Sequence, residues 1–142
     1  MKKTILISLV ALVLFSCKKD DKDEACTIST AAIAGSYKIT VFTYKLNSTA
    51  PEQNLFTDNF TNACERDNIH TFQTNGTYQL RDAGIVCSPA VDETGTWSLS
   101  GNNLELDGDP ALIESFDCKT LVVSVKDQEI TGDEYKITFT RQ

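Results

Sequence analysis

The chain has 142 residues and a formal net charge of −7, with 13 Lys and Arg against 20 Asp and Glu. This length accommodates one ordinary globular domain and excludes two full domains. The acidic balance argues against nucleic-acid binding, because Lys and Arg form no basic cluster outside the first 22 residues.

The N-terminus predicts a targeting signal. Lys2 and Lys3 form a positively charged start, and a nearly unbroken apolar run follows from residue 5 to residue 15. A run of this length is too short to span a bilayer comfortably. Residues 1–16 are therefore predicted to be a signal peptide.

The end of this segment, Leu14-Phe15-Ser16-Cys17, resembles the lipobox of bacterial lipoproteins. In a lipobox, a small residue precedes a cysteine that is lipidated and becomes the new N-terminus. The resemblance implies a lipid anchor on Cys17 and attachment to a membrane. The alternative is a cleaved secretory signal followed by an incidental cysteine.

Residues 17–26 are predicted to comprise the lipidated cysteine and a charged tether. The stretch 18–24 has no apolar member and cannot contribute to a core. Within it, Lys19-Asp20-Asp21 resembles the short export signal that lipoproteins of Bacteroidota carry after their lipidated cysteine. That resemblance implies a protein of the outer membrane displayed on the cell surface. The alternative is that the charges only keep the tether soluble.

Four further cysteines remain in a chain that is predicted to be exported, and disulfides are therefore expected. Asn75-Gly76 is a strong hairpin signal, and Cys64 precedes it by the same distance at which Cys87 follows it. Of the three possible pairings, this symmetry favours Cys64 with Cys87 and leaves Cys26 with Cys118. A zinc site is the rival interpretation. It is disfavoured because no two cysteines are close in sequence and the chain has a single histidine.

The remainder of the chain, residues 27–142, is predicted to be one all-β domain. After a stretch at 29–34 that could form a short N-terminal helix, alternation with period two predicts eight strands, at 36–46, 67–74, 77–83, 94–100, 103–107, 111–117, 119–126 and 134–141. No helical window is long enough to connect parallel strands. Tight turns between consecutive strands favour an eight-stranded antiparallel up-and-down barrel. Its inward residues are bulky, which predicts a largely filled interior and at most a modest cavity near one end.

Several motifs in this domain carry a family resemblance. Residues 33–37 resemble the Gly-x-Trp opening of lipocalins, with Tyr37 where tryptophan is usual. Two later motifs follow in the order Asn75-Gly76-Thr77-Tyr78 and Gly95-Thr96-Trp97, with Cys64 before the first and Cys87 between them. This order is similar to that in lipocalin-like lipoproteins of Bacteroidota. The resemblance implies a lipocalin-like barrel with Arg141 packed over Tyr37. It also implies that Cys64 and Cys87 lie at the open end, and that Cys26 and Cys118 lie at the closed end.

Two functions are compatible with these features. The first is binding of a small hydrophobic molecule at the barrel mouth, beneath the long connection at 47–65, with Phe56, Phe60, Tyr78 and Trp97 as contacts. The alternative is a non-enzymatic surface interaction module, an inhibitor or adhesion accessory, whose loops bind a host protein or glycan. In either case we expect a monomer without a cofactor or metal.

An enzyme is not expected. His70 is predicted to lie on the outer face of its strand, and the sequence has no nucleophile elbow that would complete a catalytic triad around it. The acidic residues at 92, 93, 105, 107 and 109 are expected at turns or outward positions, where they would form a solvated face.

Substitution of Cys17 tests the predicted anchor. Cys17→Ser should release the protein from membranes, because the acyl chains that hold it there are attached to this side chain. Membrane fractionation and intact mass of the membrane-derived protein are the measurements. A Cys17→Ser protein that stays in the membrane fraction would contradict the lipoprotein prediction.

Overall fold

The computed structural model describes residues 26–142. The predicted signal peptide, the lipidated Cys17 and most of the tether lie outside these residues. Within the described part of the chain, no helix is both long enough and apolar enough to cross a membrane.

Residues 26–142 form nine strands and three one-turn helices. In chain order these elements are α1 (Thr30–Ile33), β1 (Gly35–Lys45), β2 (Gln53–Asn54), α2 (Phe56–Asn59), α3 (Ala63–Arg66), β3 (Ile69–Phe72), β4 (Thr77–Arg81), β5 (Glu93–Ser100), β6 (Asn103–Leu106), β7 (Asp109–Phe116), β8 (Thr120–Lys126) and β9 (Glu134–Arg141). The eight predicted strands correspond to β1 and β3 to β9. The predicted N-terminal helix is α1, and the Ser29 side chain caps it by accepting a hydrogen bond from the backbone N–H of Ala32.

The strands form one closed antiparallel barrel, as predicted. Each strand from β3 to β9 pairs with the next, β3 also pairs with the start of β1, and β9 returns to pair with β1 along its length. The two-residue β2 adds to the other half of β1, at Thr43 and Tyr44. The connection at 47–65 thus has structure of its own, since it contains β2, α2 and the start of α3.

β3 and β4 form a hairpin around Asn75-Gly76, as the turn signal indicates. Phe72 lies opposite Tyr78, and the loop between Gln73 and Thr77 is closed by a hydrogen bond from the Gln73 N–H to the Thr77 carbonyl at 2.8 Å. Gly76 has a φ of +85°, and a Cβ there would lie 3.2 Å from the Trp97 carbonyl oxygen. Glycine suits this position because other residues rarely adopt positive φ.

The core is made of side chains that alternate inward along the strands, as the period-two pattern indicates. Trp97 is 4% exposed, and its indole N–H donates a 2.8 Å hydrogen bond to the Gln73 carbonyl. The buried apolar residues are Ile33, Tyr37, Phe72, Tyr78, Trp97, Leu104, Ile113, Leu121, Val123 and Phe139.

The closed end is sealed by Arg141 and Tyr37, as the resemblance implied. The Arg141 guanidinium lies 5.1 Å from the centroid of the Tyr37 ring, and its Nη2 donates to Tyr37 Oη at 2.6 Å. Tyr37 Oη in turn donates to the Ile33 carbonyl at 2.6 Å. Gly35 lies directly against the guanidinium, because a Cβ there would be 3.2 Å from Arg141 Cζ. Together these contacts attach α1 and the last strand to the bottom of the barrel.

Both predicted disulfides are confirmed. Cys26 is bonded to Cys118 with Cα atoms 5.6 Å apart, and Cys64 is bonded to Cys87 with Cα atoms 5.3 Å apart. The first links the chain before α1 to the β7–β8 turn at the closed end. The second links α3 to the β4–β5 connection at the open end.

Removing each disulfide separately should destabilise the domain to different degrees. The Cys26–Cys118 bond joins residues 92 positions apart and the Cys64–Cys87 bond joins residues 23 positions apart. Loop-closure entropy then predicts losses of about 4–5 kcal/mol for the Cys26→Ala/Cys118→Ala variant and about 3 kcal/mol for Cys64→Ala/Cys87→Ala. Urea unfolding measures both free energies of unfolding. The reverse order of losses would contradict this expectation.

Candidate functional site

The open end of the barrel holds a cavity of about 390 Å³. Its wall combines aromatic, aliphatic, amide and acidic side chains, namely Phe42, Asn59, Asp109, Val125, Gln128, Glu129, Tyr135 and Ile137. We call this space the mouth cavity. It lies where β1, β8 and β9 reach the open end and where the last residue of α2 approaches them.

A second, smaller cavity of about 130 Å³ lies in the barrel interior. Its lining is almost entirely apolar and consists of Phe72, Leu104, Leu106, Asp109, Pro110, Ala111, Val123, Val125, Ile137 and Phe139. Asp109, Val125 and Ile137 line both spaces. The inner cavity is therefore adjacent to the mouth cavity and extends it toward the core.

Strand register explains why these side chains face each other. Val125 lies opposite Tyr135 on β8 and β9, and Phe42 lies opposite Ile137 on β1 and β9. Directly opposite residues share a face of an antiparallel pair, so all four point into the barrel. Leu106 pairs with Asp109, which places Asp109 on the inward face at the very start of β7.

An aromatic cluster forms one wall of the mouth. The Phe42 and Tyr135 rings are stacked with centroids 5.6 Å apart and an interplanar angle of 14°, and Tyr44 lies 4.8 Å from Tyr135. Phe60, just after α2, contacts Phe42 at 6.2 Å and Phe56 at 5.3 Å. The apolar residues of the 47–65 connection thus pack back onto the rim of β1.

The four predicted ligand contacts fall into two separate groups. Phe56 and Phe60 contact each other at the open end, whereas Tyr78 and Trp97 each contact Phe72, both with ring centroids 5.4 Å apart. None of the four is among the residues that line the mouth cavity or the inner cavity. Their role as ligand contacts stays a prediction.

The prediction for His70 is wrong. His70 lies inside the barrel and is 9% exposed, because it shares its face of β3 with Phe72 two residues later. Its Nδ1 is 2.7 Å from the hydroxyl oxygen of Tyr78, and its ring meets Phe139 edge-on at 5.5 Å. Asn68, two residues earlier, is 8% exposed, and its Oδ1 is buried without a hydrogen-bond partner.

Burial makes this pair reluctant to ionise. Desolvation lowers the pKa of His70 to about 4. Desolvation, with the negative charges of Glu93 and Asp107, raises the pKa of Tyr78 to about 12. Near neutral pH both side chains are therefore uncharged, and this polar part of the interior carries no formal charge.

Acidic groups dominate the electrostatics of the mouth. Burial raises the pKa of Tyr135, and the negative charges of Glu129 and Asp133 raise it further. Burial also opposes ionisation of Asp133, but backbone N–H groups of Glu129, Gln128 and Ile130 donate to its carboxylate and hold its pKa below the ordinary value. Asp133 therefore stays ionised while it organises the β8–β9 loop.

Asp92 and Asp107 are exposed in connections between strands, as expected, and each also accepts a backbone hydrogen bond. Asp92 Oδ1 accepts from the Asp82 N–H at 2.8 Å, and Asp107 Oδ1 accepts from the Thr96 N–H at 2.6 Å. Across residues 26–142, no three side chains of His, Cys, Asp or Glu are grouped so that they could hold a metal ion.

A surface depression of about 540 Å³ lies beside the Cys64–Cys87 disulfide. It is lined in part by Ile85, Val86 and Val91, which are 60%, 62% and 37% exposed. Its walls come from α3 and the β4–β5 connection and not from the inward faces of the strands. It is therefore a separate surface from the mouth cavity, which is the cavity that continues into the barrel.

Comparison with known protein families gives a match to nearly the whole of the domain. The family model described as a lipocalin-like domain matches residues 33–141. This match begins at the last residue of α1 and ends with β9, so it spans the complete barrel. No match was found among the curated proteins.

The buried His70 should make stability depend on pH. Its pKa is about 4 in the fold and about 6.5 in an unfolded chain, so the unfolded chain binds a proton first as the pH falls. The contribution of neutral His70 to the free energy of unfolding is complete above about pH 6.5 and is lost as the pH falls toward about 4. We expect the free energy of unfolding to fall by about 2 kcal/mol between about pH 7.5 and about pH 5 from this group.

His70→Gln is the matched control, because glutamine can keep a hydrogen bond to Tyr78 but does not titrate. Urea unfolding of both proteins at the two pH values gives the difference attributable to His70. Equal pH dependence of the two proteins would contradict the assignment.

Proposed function

Because this chain belongs to the lipocalin-like domain family, we propose that it is a non-enzymatic carrier that binds a small hydrophobic molecule at the barrel mouth. The observation that carries the proposal is the mouth cavity, which continues into an apolar inner cavity between the strands. Small-molecule sites are typically concave, mostly apolar and furnished with a few polar groups, and this pair of cavities has that character.

The cavity volumes limit the size of the ligand. The mouth cavity, at about 390 Å³, lies near the lower end of the range usual for ligand sites. The inner cavity, at about 130 Å³, has room for only part of a molecule. A compact group at the mouth with a thin apolar extension toward Ala111 and Val123 fits this shape.

The rim of the site is held in place before any ligand binds. Phe60 packs on Phe42, and the segment that carries Phe60 is anchored by the Cys64–Cys87 disulfide. A wall that is already ordered loses little conformational entropy on binding. The 47–65 connection is therefore proposed as a fixed cover over one side of the mouth.

We also propose that the protein is a lipoprotein of the outer membrane, displayed on the cell surface as a monomer. The lipobox-like Cys17 and the charged tether support this location. Cys26 is joined to Cys118 at the closed end, so a tether that arrives there would orient the closed end toward the membrane. The nine residues from Cys17 to Cys26 reach at most roughly 30 Å, which leaves the mouth accessible from outside.

The alternative, an interaction module, is supported by one specific observation. Ile85, Val86 and Val91 are exposed beside the 540 Å³ surface depression near Cys64–Cys87. Exposed apolar side chains grouped in this way can mark a protein-binding surface. On this alternative, the loops would bind a host protein or glycan, and the barrel would serve only as a scaffold.

A cavity-filling substitution tests the carrier proposal. Ala111 lines the inner cavity, so Ala111→Leu should weaken binding of the neutral dye N-phenylnaphthylamine by on the order of tenfold. Leu112→Phe is the matched control, because Leu112 is 40% exposed on the outer side of the same strand. Fluorescence titration of soluble Cys17→Ser protein measures both affinities. The carrier proposal fails if the dye does not bind saturably, or if Ala111→Leu binds it as well as the control does.

A further inference from the structure

The charged residues that line the mouth cavity are all acidic. Asp109 and Glu129 are in its wall, and none of its lining residues is Lys or Arg. Two lysines occur nearby on the rim, but Lys45 lies 3.7 Å from Glu52 and Lys126 lies 3.6 Å from Glu134. These partners offset the positive charges of the two lysines.

The aromatic wall of the same cavity also favours positive charge. Phe42 and Tyr135 line the cavity and stack nearly parallel, with 5.6 Å between ring centroids. The face of an aromatic ring is electronegative and attracts ammonium groups. The raised pKa of Tyr135, caused by burial and then by Glu129 and Asp133, reflects the same negative potential.

Among residues 26–142, neither His70 nor Arg141 offsets this potential from inside the barrel. His70, the only histidine, is inside the barrel and stays neutral, because burial keeps its pKa at about 4. Arg141 lies at the opposite, closed end, where it is bound to Tyr37 and to α1. A ligand carboxylate at the mouth would therefore face Asp109 and Glu129 without a cationic partner from these groups.

We propose that the mouth selects ligands in which an apolar body carries a protonated amine, and that it discriminates against fatty-acid-like carboxylates. The ammonium group lies at the rim, close to Asp109 and Glu129 and over the ring of Phe42 or Tyr135. The apolar body extends between Val125 and Ile137 into the inner cavity. This inference rests on the proposed carrier function and specifies the ligand class for that site.

Three ligands with the same alkyl chain and different head groups test the inference. Decylamine, decanol and decanoate are titrated, below their micellar concentrations, into soluble Cys17→Ser protein near neutral pH, and displacement of N-phenylnaphthylamine is measured. We expect decylamine to bind on the order of tenfold more tightly than decanol, and decanoate to bind more weakly than decanol. The preference should shrink at high salt, because Asp109 and Glu129 are exposed.

Single neutralising substitutions assign the selectivity to the wall. Asp109→Asn and Glu129→Gln should each reduce the ratio of decylamine to decanol affinity by a few fold, because each removes one negative charge from the wall. Glu105→Gln removes the same charge from an exposed position on β6, away from the lining of the mouth cavity, and should leave the ratio as it was.

The outcomes separate this inference from the carrier proposal. Equal binding of all three ligands, or tightest binding of decanoate, would overturn the charge selection while the carrier proposal stands. The charge selection would also be overturned if Glu105→Gln lowered the decylamine-to-decanol affinity ratio as much as Asp109→Asn and Glu129→Gln do. The net charge of the protein, and not the mouth cavity, would then set the preference. Failure of decanol, decylamine and the dye to bind at all would overturn both.

Discussion

The barrel depends on the pairing of its first and last strands. β1 and β9 are paired from Tyr37 opposite Arg141 to Lys45 opposite Glu134, so a single seam joins the two ends of the domain. The seam satisfies backbone groups that would otherwise form two exposed sheet edges. At its lower end, the hydrogen bond and the ring contact between Arg141 and Tyr37 join side chains as well as backbone across the seam.

Inside the closed barrel, the size of the inward side chains determines where a cavity can form. In the closed half, the Phe72 ring contacts four other aromatic rings, those of Tyr37, Tyr78, Trp97 and Phe139. Rings of this size fill an eight-stranded barrel, which is just wide enough for side chains. Toward the open end, Ala111 and Val125 are smaller and leave the space that forms the inner cavity. The inner cavity therefore forms where these smaller side chains face the interior.

Much of this fold could be predicted because period-two alternation is a local property of the sequence. The symmetric placement of Cys64 and Cys87 about Asn75-Gly76 likewise favoured the disulfide pairing that the structure has, since a hairpin brings residues at equal sequence distances from its turn close together. The structure inside the 47–65 connection could not be predicted in this way. β2 has two residues and α2 has four, and such short elements are stabilised by tertiary packing against β1 and not by their own propensity.

The site was harder to predict than the fold, and His70 shows one reason. Its inward position follows from the same alternation that places Phe72 inside, but a polar residue type suggested the outer face. The hydrogen bond to Tyr78 makes the buried position tolerable, and that partner depends on the register of β3 with β4. The lining residues show another reason. Alternation tells which residues of a strand share a face, but it does not tell how far along the barrel axis a residue lies.

The acidic residues of the open end are of two kinds, which the structure distinguishes and the composition does not. Asp133 is fully buried, and its two carboxylate oxygens accept backbone hydrogen bonds from three successive residues of the β8–β9 loop. Because those bonds shape the loop, they position Glu129, whose side chain lines the mouth cavity. One carboxylate is thus engaged by the backbone and builds the loop, while its neighbour faces the cavity, where its charge acts on whatever enters. Asp133 therefore has a structural role in the turn behind the cavity, whereas Glu129 and Asp109 line the cavity and are the acidic side chains through which the proposed ligand selection would act.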